Sequence, residues 1–184
     1  MIVNRYRYIE QLSRSKNNGL IKIITGLRRS GKSFLLKKLF HQHLLDEGVR
    51  EDHILVIDME SRKNREFKNP DYLLDWVEKM MIDYETYYII IDEVQEVEDF
   101  VEVLSSLSVT EGADVYVTGS NSRFLSSDLV TEFRGRGDEI HVWPLSFKEF
   151  MTVYDGSKED GWAEYRLYGG CLLYTSDAAD EGLG

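Results

Sequence analysis

Short apolar runs alternate along the chain with longer amphipathic stretches, and polar turns separate them. The runs predict strands at Ile21–Thr25, His53–Asp58, Tyr87–Ile91, Ala113–Thr118 and Glu139–Val142. Phe34, Leu35, Leu36, Leu39, Phe40, Leu44 and Leu45 recur at helical spacing. They predict a helix over Lys32–Glu47, and similar patterns predict helices over Pro70–Asp83, Phe100–Ser108 and Phe147–Val153. The strand segments are continuously apolar, as in a parallel sheet covered on both faces. Strands and helices follow one another in turn, so the expected class is a three-layer α/β fold with a sheet of about five strands. Ligands of such sheets bind at the carboxyl ends of the strands.

Chemistry-bearing residues fall at those ends. The first predicted strand runs into "GLRRSGKS", Gly26 to Ser33, and then directly into the first predicted helix. G-x-x-x-x-G-K-S between a strand and a helix is a phosphate-binding pattern: glycines let successive N–H groups curl around a phosphate, and the helix points its positive end at it. Lys32 is placed to reach the β- and γ-phosphates, and the Ser33 hydroxyl to ligate Mg²⁺. The candidate nucleotide-binding segment comprises Gly26, Leu27, Arg28, Arg29, Ser30, Gly31, Lys32, Ser33 and Phe34. The motif leaves positions 28 and 29 open, and both arginines could touch phosphate or a partner.

The third predicted strand ends in Asp92 and Glu93. An acidic pair there suits Mg²⁺-dependent ATP hydrolysis, with Asp92 on the metal and Glu93 accepting a proton from the attacking water. The fourth ends in Thr118, Gly119, Ser120 and Asn121. Ser120 or Asn121 is the candidate γ-phosphate sensor, ahead of Thr118; a helix cap at Asn121 or Ser122 is the other reading. Arg134 and Arg136 stand among glycines in "FRGRGDE". Either could reach a phosphate of its own or a neighbouring subunit, Arg136 being the better candidate, or pair with nearby acids on the surface. Glu60, after the second strand, is a rival base read as a switch or capping residue. No N-K-x-D motif occurs, which disfavours a GTPase, and the acid beside the metal aspartate disfavours a small-molecule kinase.

Composition narrows this further. The chain of 184 residues carries a formal charge of −11, which gives no general attraction for nucleic acid or anionic lipid. No apolar run approaches a membrane span and the N-terminus lacks a signal-peptide core, so the expectation is a cytoplasmic protein without membrane contact. One cysteine, Cys171, excludes an internal disulfide framework. The four histidines, His41, His43, His53 and His141, show no metal-ligand spacing and are read as surface or cap residues.

Together, "RYIEQL", "IITGLRRSGKSFLL", "YIIIDEVQEV", "VTGSNSRFLSSDLVTEFRGRGDEIHVWPLSFKEF" and "YRLYGG" resemble the bacterial and archaeal AAA-type ATPases whose P-loop core precedes a C-terminal domain of unknown function. The resemblance runs from about Arg5 to Gly170. It implies an AAA+ fold with sheet order 5-1-4-3-2. It also implies phosphate and Mg²⁺ roles for Gly26, Gly31, Lys32 and Ser33, metal and water roles for Asp92 and Glu93, sensing by Ser120 or Asn121, and a place for Arg136 in the family's "GR" box. No sensor arginine of a helical lid is identifiable.

From Cys171 the chain reads "CLLYTSDAADEGLG", whose first eleven residues match one translated frame of a transposon-end sequencing adaptor. The expectation is that the native frame ends near Gly170, which removes Asp177, Asp180 and Glu181 and leaves a charge of −8. The expected organisation is an N-terminal segment (1–19), an ATPase core (20–154), the start of a truncated C-terminal region (155–170) and a non-native tail (171–184). The expected ligands are ATP and Mg²⁺. The expected partners are a homo-oligomer or a partner protein, with DNA contacted only through the missing C-terminal domain. The expected function is ATP binding and hydrolysis coupled to that domain. The alternative is a slow-turnover nucleotide-gated switch that regulates a protein or DNA partner.

Overall fold

The computed structural model describes residues 2–119 and 135–170. Five strands, β1 (Ile21–Thr25), β2 (Ile54–Asp58), β3 (Tyr87–Asp92), β4 (Ala113–Thr118) and β5 (Gly137–His141), form one sheet in the order β2-β3-β4-β1-β5. Every pairing is parallel. This is the expected order 5-1-4-3-2 seen from the other edge, and the α/β class stands. Continuous apolar strands need cover on both faces, because successive side chains point to opposite sides. In β3, Ile89 and Ile91 enter one core cluster while Tyr88 and Ile90 enter the other.

Among the described residues the α-helices are α1 (Tyr6–Arg14), α2 (Lys32–Phe34), α3 (His41–Asp46), α4 (Pro70–Met80), α5 (Phe100–Ser108), α6 (Phe147–Phe150) and α7 (Lys158–Tyr168). On one face α4 and α5 pack Leu73, Val77, Leu104 and Leu107 against β1, β2, β3 and β4. On the other, Leu35, Leu36, Phe40 and Leu44 meet Ile24, Ile90 and Tyr116, and α1 adds Tyr8 and Leu12 at i, i+4 spacing. Phe40 is fully buried. Truncating a phenylalanine so placed costs about 3–5 kcal/mol.

Several boundaries differ from the sequence expectation. The helix expected as one piece from Lys32 is α2 and α3 joined by a π-helical segment, Leu35–Phe40. Strand β5 begins at Gly137 rather than Glu139, because it pairs from Ile21 onward with β1. Helix α4 stops at Met80, where Met81 leaves helical geometry with ψ 83°. Helix α6 ends at Phe150. His53, expected in a strand, closes a short 3₁₀ turn, Glu51–His53. Helices α1 and α7 were not expected at all, although α1 is amphipathic and buries Tyr8 and Leu12.

Candidate functional site

The loop from β1 to α2 is shaped by backbone that only glycine supplies. Gly26 has φ +137°, and a Cβ there would stand 2.2 Å from the carbonyl oxygen of Val142. The chain after β5 presses against the loop at that point, held by the Val142 N–H donating to the Thr25 carbonyl at 2.8 Å. Gly31 has φ 93° and turns the chain into α2, which leaves the first N–H groups of the helix facing the loop. Arg5 secures the far side. Its guanidinium donates to the Ser30 carbonyl at 2.9 Å and the Trp143 carbonyl at 2.7 Å, and lies 4.5 Å over the Tyr8 ring.

Lys32 is buried, and its Nζ donates to the carbonyls of Gly26 and Leu27 at 3.0 Å each. Burial lowers its pKa below the ordinary lysine value, with the charges of Glu93 and Asp92 acting in the opposite sense. The Ser30 hydroxyl is buried within the loop without a hydrogen-bond partner among the described residues.

Three strand ends converge beneath Lys32. Asp92 closes β3 with no exposed surface, and its Oδ1 accepts hydrogen bonds from Ser33 Oγ at 2.8 Å and Thr118 Oγ1 at 2.6 Å. Strand pairing sets Asp58 of β2 beside Asp92. Lys37, from the π-helical segment, bridges the two carboxylates, 2.7 Å from Asp58 Oδ2 and 2.7 Å from Asp92 Oδ2. The contact to Asp58 is an aligned hydrogen bond, whereas that to Asp92 is a close ion pair without hydrogen-bond alignment. Burial pulls the Lys37 pKa down, but the contacts with the Asp58 and Asp92 carboxylates outweigh it, and the ammonium stands above its ordinary value.

Glu93 follows in the left-handed region, at φ 59° and ψ 54°. A non-glycine residue there carries strain of about 1–3 kcal/mol, the kind stored at functional sites. Its N–H donates to Thr118 Oγ1 at 2.9 Å, which fixes the turn, and Gln95 Nε2 donates to its carboxylate. Glu93 borders an open cleft of about 630 Å³ shared with Arg28, Glu60 and Gln95.

The structure therefore brings Gly26, Ser30, Gly31, Lys32, Ser33, Asp92 and Glu93 together. Leu27, Arg28 and Arg29 form the exposed rim of the loop, and Phe34 is exposed on α2. Glu60 lies at the cleft, its N–H bonded to Asp58 Oδ1, and does not meet Asp92. Ser120, Asn121 and Arg134 lie outside the described residues. Arg136 is exposed at the start of β5, its carbonyl accepting from the Ile21 N–H at the opposite end of β1. With about 3.3 Å of rise per strand residue, the length of β1 separates it from the loop of its own chain.

Arg5 is buried and committed to the loop, and one sequence reading is corrected here. His53, read as a surface or cap residue, is 2% exposed and faces acidic side chains. Sequence reasoning missed Lys37, Gln95 and Arg5, and ranked Thr118 below Ser120 and Asn121. Only the position of Thr118 at the strand end carried a signal.

The donor set suits Mg²⁺ with a phosphate. A serine hydroxyl and a carboxylate are hard oxygen ligands, Lys32 is a point charge over the loop, and the N–H groups behind Gly31 complete an anion cradle. The orphaned Ser30 hydroxyl sits in the same cradle.

Residues 18–151 match the sequence profile of a family described as AAA domain. An uncharacterized protein of Haemophilus influenzae is 35% identical over 175 residues, covering 92% of this chain. The chain spans 44% of that relative's length. Among solved structures, the Aeropyrum pernix ORC1 protein in complex with DNA aligns with a TM-score of 0.58 at 13% identity, over 89% of this chain and 50% of that one. AMPPCP-bound DnaA from Aquifex aeolicus aligns with a TM-score of 0.57 at 15% identity, over 98% of this chain and 62% of that one. At such identities the likeness to these structures is one of fold.

Proposed function

The chain belongs to the AAA domain family, and from that premise we propose that it is the nucleotide-binding core of a Mg²⁺-dependent ATPase. The observation that carries the reading is the meeting of Ser33 and Asp92 at 2.8 Å, with Lys32 buried above them and Glu93 next in the chain. DnaA, which shares the fold, binds an ATP analogue, which is consistent with ATP as the nucleotide.

In this reading the loop N–H groups and Lys32 bind the phosphates, and Ser33 and Asp92 hold Mg²⁺. The metal, when bound, neutralises phosphate charge and orients the reacting group. Glu93 accepts a proton from water at its carboxylate, while the Thr118 hydroxyl holds the Glu93 N–H and sets the direction of that side chain. Gln95 holds the carboxylate in the same orientation. Ser120 or Asn121 senses the γ-phosphate. Arg136, at the far end of the sheet from its own loop, acts on the phosphate of a neighbouring copy, so full turnover requires a homo-oligomer. The hydrolysis is coupled to the portion of the longer relative that this chain does not span, and any DNA contact belongs to that portion.

A second reading, a nucleotide-gated switch with slow turnover, is favoured by one feature: Gln95 engages the Glu93 carboxylate and competes with water for it.

The test is MgATP binding and phosphate release by the chain beside Lys32→Ala and Glu93→Gln. Lys32→Ala is expected to lose binding. Glu93→Gln is expected to bind as the parent does and to lose turnover by about 10²-fold or more. Equal binding by all three, or undiminished turnover in Glu93→Gln, overturns the assignment. Tight binding with negligible turnover in the parent selects the switch.

A further inference from the structure

At the opposite end of the sheet from the loop, we propose that His53, Asp83 and Glu85 form a binding site for a divalent transition-metal ion such as Zn²⁺. One ligand atom from each lies within 4.8 Å of the others. His53 is the decisive member. Its ring is buried, stacked on Tyr87 with centroids 4.2 Å apart and planes 19° from parallel. The stack fixes the imidazole, and it aims both ring nitrogens toward the connector between α4 and β3.

The separation of the donor atoms fits two ligands of one ion, and alignment rather than distance sets the contact apart from a hydrogen bond. Nε2 lies 3.2 Å from Asp83 Oδ2, yet it makes no aligned hydrogen bond to any group among the described residues. Two donors bound at about 2.0–2.1 Å on a tetrahedral ion stand about 3.3 Å apart, so the observed separation accommodates an ion off the direct line between them. Glu85 Oε2 is 3.6 Å from Nδ1. Its exposed side chain is free to swing onto the ion; from its present place it also serves to hold the Nδ1 proton, the arrangement that orients metal-bound histidines. One imidazole with carboxylates suits Zn²⁺, Ni²⁺ or Mn²⁺, and water fills the remaining positions.

The charge balance agrees. Asp52, Asp83 and Glu85 surround His53, with Asp52 Oδ1 at 4.0 Å from Nε2, and Arg50 is the cation paired with Asp52 and Asp83. A bound ion offsets the remaining negative charge, while Arg50 competes for Asp83 and keeps the affinity moderate. The ion would clamp the connector onto the start of β2. That connector is otherwise tied by the Ile82 N–H to the Tyr87 hydroxyl and by the Glu85 N–H to Asp83 Oδ1, both at 3.1 Å. The role is structural and independent of the nucleotide site, since Ile54 pairs with Tyr88 at this end and Asp58 with Asp92 at the other.

The experiment is calorimetric titration of the nucleotide-free chain with Zn²⁺, paired with thermal unfolding and with the visible absorption of Co²⁺. One Zn²⁺ is expected to bind and to raise the unfolding temperature. Asp83→Asn and His53→Gln should each weaken binding at least tenfold and abolish the temperature shift, and Glu85→Gln should weaken it less. Asp92→Asn should leave Zn²⁺ binding intact. Because His53→Gln removes a buried stack and can impair folding, Asp83→Asn, which leaves the stack in place, carries the decision. Absence of Zn²⁺ binding, binding unchanged in Asp83→Asn, or binding lost only in Asp92→Asn each overturns the proposal. The first of these leaves the cluster as a contact of His53 with its carboxylates alone.

Discussion

Ser33 and Asp92 stand 59 positions apart in the chain and meet at 2.8 Å, a hydroxyl from the first turn of α2 donating to the carboxylate that ends β3. Neither residue has independent freedom. Ser33 is fixed by the turn at Gly31, and Asp92 by a strand buried along its whole length. The two local motifs thus become one site through the sheet order, which sets β1 and β3 on either side of β4.

Thr118 is the residue through which β4 enters that site. Its hydroxyl donates to Asp92 Oδ1 and accepts the Glu93 N–H, and it has no exposed surface. Thr118→Val keeps the shape and deletes both bonds, leaving a buried N–H without its partner. The expected cost is about 1–3 kcal/mol of unfolding free energy, read by urea denaturation, together with slower phosphate release as Glu93 loses its anchor. Thr118→Ser should recover most of both. If the valine variant is as stable and active as its parent, Thr118 is packing only.

How much of this was legible follows from where the information lies. Glycine spacing, the Lys32–Ser33 pair and an apolar run ending in Asp92 and Glu93 are local, and the sequence displayed them. The side chains that tune the site are not local. Lys37 acquires its role only because β2 and β3 align Asp58 with Asp92, and because a π-helical segment interrupts the helix that carries it. Arg5 is meaningful only once α1 packs beside the loop. His53 and Asp83 sit thirty positions apart, joined by a connector whose path no motif announces.

Lys37 is the cation between two carboxylates that the sheet forces together. Lys37→Ala should cost about 3 kcal/mol, because the buried Asp92 loses the cation beside its Oδ2 and keeps only the hydroxyl bonds to Oδ1. Asp58→Asn in the same background should restore part of that loss, giving a coupling of about 1 kcal/mol in a double-mutant cycle by chemical denaturation. Millimolar Mg²⁺ should raise the unfolding temperature more in Lys37→Ala than in the parent. Strict additivity of the two substitutions refutes the bridge.

Arg5 connects the loop to the chain after β5 and, through Glu149 at 3.3 Å, to α6. Its contacts require a planar fork, so the conservative change is not conservative here. Arg5→Lys is expected to lose about 2–3 kcal/mol and to weaken nucleotide binding, since the Ser30 carbonyl is released. Isothermal titration with MgATP well below the unfolding temperature separates the two effects. Unchanged affinity in a destabilised variant would reduce Arg5 to a structural clamp.

Glu149 gives this region a pH dependence. Burial alone raises its pKa, but bonds from the Ser146 N–H and hydroxyl and the nearby Arg5 guanidinium outweigh it, and the carboxyl is held below its ordinary 4.5. The same side chain completes a capping box at the start of α6, its carboxylate accepting from the Ser146 N–H at 2.8 Å. A group whose folded pKa is depressed binds fewer protons when folded. Its stabilisation is therefore fully present well above 4.5 and is lost as the pH falls through the folded value. Glu149→Gln removes the titration and should flatten the acid limb of a stability-versus-pH curve, while lowering stability at neutral pH through the loss of the Arg5 pair. Asp52 and Asp83 are also held below their ordinary values, so the acid limb does not vanish in the variant. Urea midpoints from pH 6 to pH 3 for parent and variant decide the matter: converging curves at low pH support the assignment, and parallel curves remove Glu149 from it.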